Sequence, residues 1–380
     1  MNFVAVQMLL GDRMKYLGLV LAVAFSTFLM SHQSSIFAGV MDRTRSQIKD
    51  VQDADIWVMD PATQYFDEVK ALSDEALYRV RGVEGVQWAV PLHRGMPTAR
   101  ALNGNFRSVI LMSVDDDSLA GAPRRLLAGS IDDLRQPDAV FMDRAAFDFF
   151  FPNEPIQTGK IFEMNDHRVK VVGVFESSAP FTNLPVFYAR YSNAIKYQGP
   201  ERNMMTFVLV KTKPGISDSE VCKRIQSETG LRALTSADFG WQTIMYYFKH
   251  TGIPLNFGIT IAIALLVGTL VAGQTFYIFT LENLKQFGAL KAIGVTNWRL
   301  TGMILLQAGM VAGIGYSLGI MGTVTFFQVT KDNIDLRGFF IPWQIAVGTA
   351  ASVLVIIVMA SLMSIRRVLV LEPAAVFRGQ

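Results

Sequence analysis

Two segments of this 380-residue chain, Ile253–Leu281 and Leu300–Thr330, contain no Asp, Glu, Lys or Arg. Each exceeds the ~20 apolar residues that a helix needs to cross a bilayer. No other feature restricts the fold as strongly, because within hydrocarbon a spanning segment must satisfy its own backbone donors and acceptors. Both segments are therefore expected to be membrane-spanning helices. The run between them, ENLKQFGALKAIGVTNWRL (Glu282–Leu300), is then a short amphipathic turn at a membrane surface. It sets Lys285, Lys291 and Arg299 against one acid, Glu282, a balance expected on the cytoplasmic side. A short helix there can receive force from a soluble partner.

Two further uncharged runs, Tyr16–Met41 and Gly338–Ile365, bring the expected spans to four. A hydrophobic content of 51% and a mean hydropathy of +0.31 suit a membrane protein with a sizeable soluble part. In the first span the strongly apolar stretch is Leu17–Met30; His32 and Gln33 beyond it should face other helices or the outer interface. A cleaved signal peptide is the competing reading, disfavoured by the long apolar region, the absence of a short basic flank and the lack of a clear A-x-A site.

Four spans place both termini on one side. Residues 1–15, 282–299 and 366–380 hold eight basic residues and three acidic ones, whereas the loop between the last two spans is balanced. The termini are thus expected in the cytoplasm. Region 42–250 then lies outside; its 25 basic and 27 acidic residues give no reason to expect nucleic acid as a partner. Cys222 is the only cysteine, which excludes an internal disulfide and a Cys-rich metal site. The outside domain must be held by its own core, and it is long enough for two subdomains.

The expected order is an interfacial helix (1–15), span one (16–41), the outside domain (42–250), span two (251–281), the loop (282–299), span three (300–330), an outer loop (331–338), span four (339–365) and a tail (366–380). The stretch Val40–Val51 reads as a helical stalk. Within the domain, Ala54–Met59, Ser73–Arg81 and Val86–Pro91 form a β-α-β pattern. Phe207–Lys211, Ser217–Glu228 and Leu231–Leu234 repeat it. Two such units divided by an insertion suggest a split ferredoxin-like subdomain (50–114 and 201–240) around a β-rich subdomain (115–200). In the insertion, Asn165–Asp166 marks a hairpin. Phe147, Phe149, Phe150 and Phe151 read as core, with an apolar partner contact as the alternative. Span three carries two G-x-x-x-G pairs, Gly309/Gly313 and Gly315/Gly319, which allow close helix approach; packing within the chain and a dimer contact both remain open.

No catalytic motif emerges. There is no G-x-x-x-x-G-K-[ST] loop, so ATP, if used, is expected on a separate chain. There is no H-E-x-x-H, and the four histidines fall in different elements, so no metal is expected. Asp115–Asp117 reads as a turn because no EF-hand spacing follows. A nucleophile motif is missing, and the long span cores lack the charges that an ion-coupled carrier needs.

Leu290–Val295 (LKAIGV), followed by Asn297, Trp298 and Arg299, resembles the L-K-A-[IM]-G-[AY] signature of FtsX/MacB-type permeases, the membrane subunits of type VII ABC systems. Arg366–Arg367 followed by Glu372–Pro373–Ala374 resembles the family's tail. The run Gln274–Lys291 and the chain length are most similar to the DevC-like subgroup. Glu282 and Lys285 depart from the R-E pair of many relatives. The resemblance implies an α-helical membrane protein with four transmembrane helices and an α+β periplasmic domain. It implies a non-catalytic permease, paired as a homodimer in the lipid of a bacterial inner membrane. ATP and Mg would reside on a separate ABC ATPase, with no cofactor in this chain. A periplasmic adaptor of the membrane-fusion type and an outer-membrane channel are the further partners implied. ATPase motion would pass through the helices to the periplasmic domain and expel an apolar or amphipathic cargo. Glu282, Leu284, Phe287, Leu290, Lys291, Ile293 and Gly294 would form the coupling element. The helical spacing of Leu284, Phe287 and Leu290 suggests one apolar face filling a groove on the ATPase. A surface helix with no partner is the bland reading. The alternative function is an FtsX-like mechanotransmitter that activates a periplasmic cell-wall hydrolase without moving cargo. Lipoprotein extraction lies within the same superfamily, and a stand-alone membrane enzyme is disfavoured.

Overall fold

The computed structural model describes residues 2–101, 104–198, 205–331, 333, 336 and 338–370. The chain divides into a helical unit, Met1–Gly39 with Gly252–Gln380, and a large α+β unit, Val40–Thr251. In chain order it begins with α1 (Asn2–Gly11), the long α2 (Arg13–Arg43) and the short α3 (Ser46–Asp50). The large unit continues through β1 (Ile56–Met59), α4 (Asp74–Arg81), β2 (Val86–Leu92), β3 (Arg94–Gly95), β4 (Thr98–Arg100), β5 (Phe106–Ser108), β6 (Ile110–Val114) and β7 (Leu126–Ala128). There follow β8 (Ala139–Asp143), α5 (Arg144–Phe150), β9 (Ile161–Met164), β10 (His167–Phe175), β11 (Val186–Arg190) and α6 (Tyr191–Gln198). It closes with β12 (Phe207–Thr212), α7 (Asp218–Thr229), β13 (Arg232–Thr235) and α8 (Ser236–His250). The helical unit resumes with α9 (Ile253–Glu282), α10 (Leu284–Ala292), α11 (Asn297–Thr330) and α12 (Trp343–Leu369).

Among the described residues four helices, α2, α9, α11 and α12, are long and apolar enough to cross a membrane. Without a hydrophobic drive between helices in lipid, close packing and polar bonds must hold such a bundle. Between α2 and α11 both are present. A Cβ on Gly315 would lie 2.7 Å from Val23 Cβ, and one on Gly319 would lie 2.5 Å from Thr27 Cβ. Further along, Ser31 Oγ and Thr323 Oγ1 share a hydrogen bond of 2.7 Å. The His32 ring packs on Phe28, Phe326 and Phe327. Tyr316 donates to the carbonyl of Ala346, tying α11 to α12 at 3.1 Å. Gly315/Gly319 is thus used for packing within the chain, whereas a Cβ on Gly309 or Gly313 would meet nothing within 4 Å.

In the large unit, β13-β1-β12-β2 form a four-stranded antiparallel sheet, the strand order of a split β-α-β fold. Every side chain of β1 is buried, because both faces of the sheet are covered. Ile56, Val58, Val208 and Val210 pack with Leu77, Val80, Val221 and Ile225 of α4 and α7. The alternate residues Trp57, Met59, Phe207 and Leu209 join a second core with Phe66 and Phe239. Gly230 ends α7 with φ +70°, the left-handed position that favours glycine.

The second sheet runs β3-β6-β11-β8-β10-β9-β4-β5, with β7 added on β10. It corrects one sequence-based boundary. The stretch 94–114, assigned to the ferredoxin-like part, supplies β3 to β6 of this sheet, with β6 parallel to β11. The first sheet is left after Leu92, and a pairing about 75 residues distant leaves no local trace of which sheet the next strands join. Asn165 and Asp166 both take positive φ, 45° and 62°, and close the β9–β10 hairpin. Phe147, Phe150 and Phe151 are buried in the core, and Arg107 stacks over Phe149 at 4.2 Å. The helical stalk reaches Asp50 but is interrupted at Thr44–Arg45: α2 ends at Arg43 and α3 restarts at Ser46, with Thr44 Oγ1 donating to Met41 O at 2.7 Å.

Arg94 is buried and bonded to Asp67, whose other oxygen accepts from the Tyr247 hydroxyl at 2.7 Å. Burial and the adjacent Asp67 carboxylate push the Tyr247 hydroxyl well above its usual range, so it stays a donor. Removing one partner of a buried pair strands the other charge. Asp67→Asn is expected to lower the stability of the large unit by about 3 kcal/mol in denaturant titrations followed by tryptophan fluorescence. Gly319→Val should lower the melting temperature of the detergent-solubilised chain, whereas Gly313→Ala should leave it unchanged.

Candidate functional site

The most distinctive site is the turn from α9 through α10 to α11. Asn283 Nδ2 donates to Phe279 O at 2.8 Å and closes the end of α9. The backbone amide of Phe287 donates to Asn283 O and starts α10. The helix ends in the LKAIGV stretch by a mechanism that explains its glycine. Gly294 has φ +95°, Val295 N donates to Leu290 O and Gly294 N to Lys291 O, each at 3.1 Å. This is a Schellman-type stop, which needs a residue tolerant of positive φ. Thr296, extended at φ −69° and ψ 151°, then occupies the N-cap position of α11.

The structure separates the sequence-predicted coupling residues into two groups. Phe287 is 0% exposed. With the half-buried Leu284 and Leu290 it packs among Phe276, Phe279, Leu300 and Met303 of the chain's own core. The expectation that Phe287 faces a partner is therefore corrected, since it is enclosed by the chain's own core, and the half-buried Leu284 and Leu290 rest against the same core. Periodicity reveals that α10 has an apolar face; it carries no information about what covers that face. Lys291 Nζ donates to Leu369 O at 2.9 Å and caps the end of α12. Glu282 is bonded to Lys15, which also bridges Asp12 at 2.8 Å. Ile293 and Gly294 do face outward, Ile293 at 81% exposure. Trp298, at 84%, belongs with them; its place in the first turn of α11, off the α10 periodicity, hid it. The exposed patch Ala292–Gly294 and Thr296–Arg299 thus presents two large apolar side chains beside the Arg299 charge.

The other motifs organise structure. Asp115 accepts from the amide and hydroxyl of Ser118 at 2.8 and 2.7 Å, and Asp116 accepts from the Ser192 hydroxyl at 2.9 Å. Among the described residues, no group of three or more His, Cys, Asp or Glu could hold a metal ion. A cavity of about 1160 Å³ in the large unit is lined by Trp88, Val90, Leu119, Arg81, Arg124 and Lys211; Arg124 pairs with Asp53 and Lys211 with Asp55. The Glu372–Pro373–Ala374 stretch lies outside the described residues.

Phe287→Asp is expected to prevent stable accumulation of the chain, because it places a charge in a closed apolar core. Trp298→Asp, at an exposed position, should leave the melting temperature of the purified chain unchanged. Comparing the two melting curves separates the inward from the outward residues.

The chain matches the family description "MacB-like periplasmic core domain" over residues 17–228 and "FtsX-like permease C-terminal" over residues 258–373. It is 23% identical over 243 residues to an uncharacterized ABC transporter permease of Methanocaldococcus jannaschii, covering 59% of this chain and 58% of that one. It is 30% identical over 123 residues to an uncharacterized ABC transporter permease of Mycobacterium tuberculosis, covering 32% of this chain and 34% of that one. The chain thus spans little more than half the length of the first of these relatives and about a third of the second. Similar solved structures are the periplasmic region of MacB from Actinobacillus actinomycetemcomitans and the extracellular domain of the noncanonic ABC-type transporter YknZ from Gram-positive bacteria. The MacB region is 17% identical with a TM-score of 0.39, over 54% of this chain and 96% of that one. The YknZ domain is 17% identical with a TM-score of 0.36, over 48% of this chain and 98% of that one. With the first family match spanning more than half of its residues, this multi-pass membrane chain belongs to the FtsX-like permeases that carry a MacB-like periplasmic core domain.

Proposed function

We propose that the chain is the membrane permease subunit of an ATP-driven exporter in a bacterial inner membrane. Both termini and the α10 turn face the cytoplasm, and the large unit is periplasmic. A separate ABC ATPase, carrying ATP and Mg, docks on the turn. The observation that carries this reading is the exposed pair Ile293 and Trp298, held beside a rigid helix stop on a segment covalently joined to two spans. Large apolar side chains presented singly on a fixed scaffold are the kind of anchor that a partner's pocket fills. Leu284, Phe287 and Leu290 of α10, packed against the bundle, would pass the partner's movement to α9 and α11.

In this reading the chain itself performs no chemistry. Two copies pair, the movement reaches the periplasmic domain, and an apolar or amphipathic cargo is driven into a periplasmic adaptor and onward to an outer-membrane channel. The experiment is co-purification in mild detergent from the native host. The wild-type chain should bring down an ABC ATPase and an adaptor, and Ile293→Asp with Trp298→Asp should lose at least 10-fold of the ATPase while the melting temperature is kept. Undiminished ATPase recovery by the double variant would reject the docking assignment. Recovery of a cell-wall hydrolase in place of an adaptor would reject export in favour of signalling.

A further inference from the structure

The loop is joined by the chain to α9 and α11, but the other helix leading to the large unit, α2, has no covalent link to it. Contacts made by α1 and the start of α2 supply that link. Lys15, in the first turn of α2, bonds Glu282, the last residue of α9 and two residues before α10 begins. The same ammonium bridges Asp12 at 2.8 Å, in the junction between α1 and α2. Ahead of it, Ala5, Met8 and Leu9 of α1 are buried in the bundle core, and the Gln307 side chain of α11 donates to Ala5 O at 2.8 Å in a buried bond. One end of α2 is therefore tied to the turn through Glu282 and to α11 through α1. Farther along, Gly315, Gly319 and Thr323 hold α2 against α11 at van der Waals and hydrogen-bond distance.

We propose that Lys15 is a positioning residue: by bonding Glu282 and Asp12 together it makes the end of α2 move with the α10 turn. This inference rests on the reading of the turn as the receiver of ATPase motion. It gives Glu282 a role different from partner contact, since its carboxylate is engaged by this chain. It also gives α1 a role beyond lying at a membrane surface, that of a strap around the foot of α11. The ion pair is partly exposed and contributes little to stability, so its removal should change coupling while the chain stays folded.

The test uses the co-purified permease–ATPase complex in lipid nanodiscs. An environment-sensitive fluorophore is placed on Leu17→Cys of α2 or, separately, on Lys285→Cys of α10. The native Cys222 is buried, and its thiol is pushed up to about 12 by that burial, so it does not compete for the label. A non-hydrolysable ATP analogue with Mg is the probe. With Lys15 present, both labels should report a shift. In Lys15→Gln and in Glu282→Gln, the Lys285 label should keep its shift and the Leu17 label should lose at least 5-fold of its amplitude. Lys15→Arg, which keeps the charge, should restore most of the Leu17 signal. A full Leu17 response in Lys15→Gln would overturn the inference while leaving the docking reading intact. A shift at neither label with Lys15 present would overturn the docking reading and this inference with it.

Discussion

The helical unit depends on how closely α11 approaches α2. The two helices touch where Gly315 and Gly319 leave room for Val23, Ala24 and Thr27, and the Ser31–Thr323 hydroxyl pair fixes their register. In lipid such contacts are the main source of cohesion, since apolar surface gains little by leaving hydrocarbon for protein. That approach brings α1 against α11 and positions Lys15 near the end of α9. The geometry of the α10 turn thus follows from packing well inside the bundle.

The large unit solves a different problem. It has no disulfide, and its one cysteine is buried. Two sheets therefore share a core: Trp57, Phe207 and Leu209 from the first meet Ile110, Phe141, Phe175 and Tyr188 from the second. A separate cluster fills the far face of each sheet. Three apolar clusters thus hold the large unit together.

Much of this was legible in the sequence, and the exceptions have physical causes. The spans were visible because charge is excluded from hydrocarbon over long stretches. The two β-α-β units were visible because turns and helix caps are local, as with Ser217 before α7 and Gly230 after it. The placement of β6 was not, because parallel pairing with β11 depends on residues far away in the chain. Phe287 is expected on a partner-facing side and is instead buried, because periodicity identifies an apolar side and not its neighbour. Trp298 stands in the family signature, and nothing local marks it as exposed. Its exposure comes from the Gly294 stop, which restarts the helical phase before α11.

The proposal that a partner drives the bundle through the α10 turn can be tested by hydrogen exchange of residues 282–300 in the permease, with and without the ATPase bound. New protection is expected to be confined to the exposed segment 292–299, with the helical segment 284–290, anchored by the buried Phe287, already protected in the free chain. Protection that left 292–299 unchanged and appeared only in the large unit would contradict it.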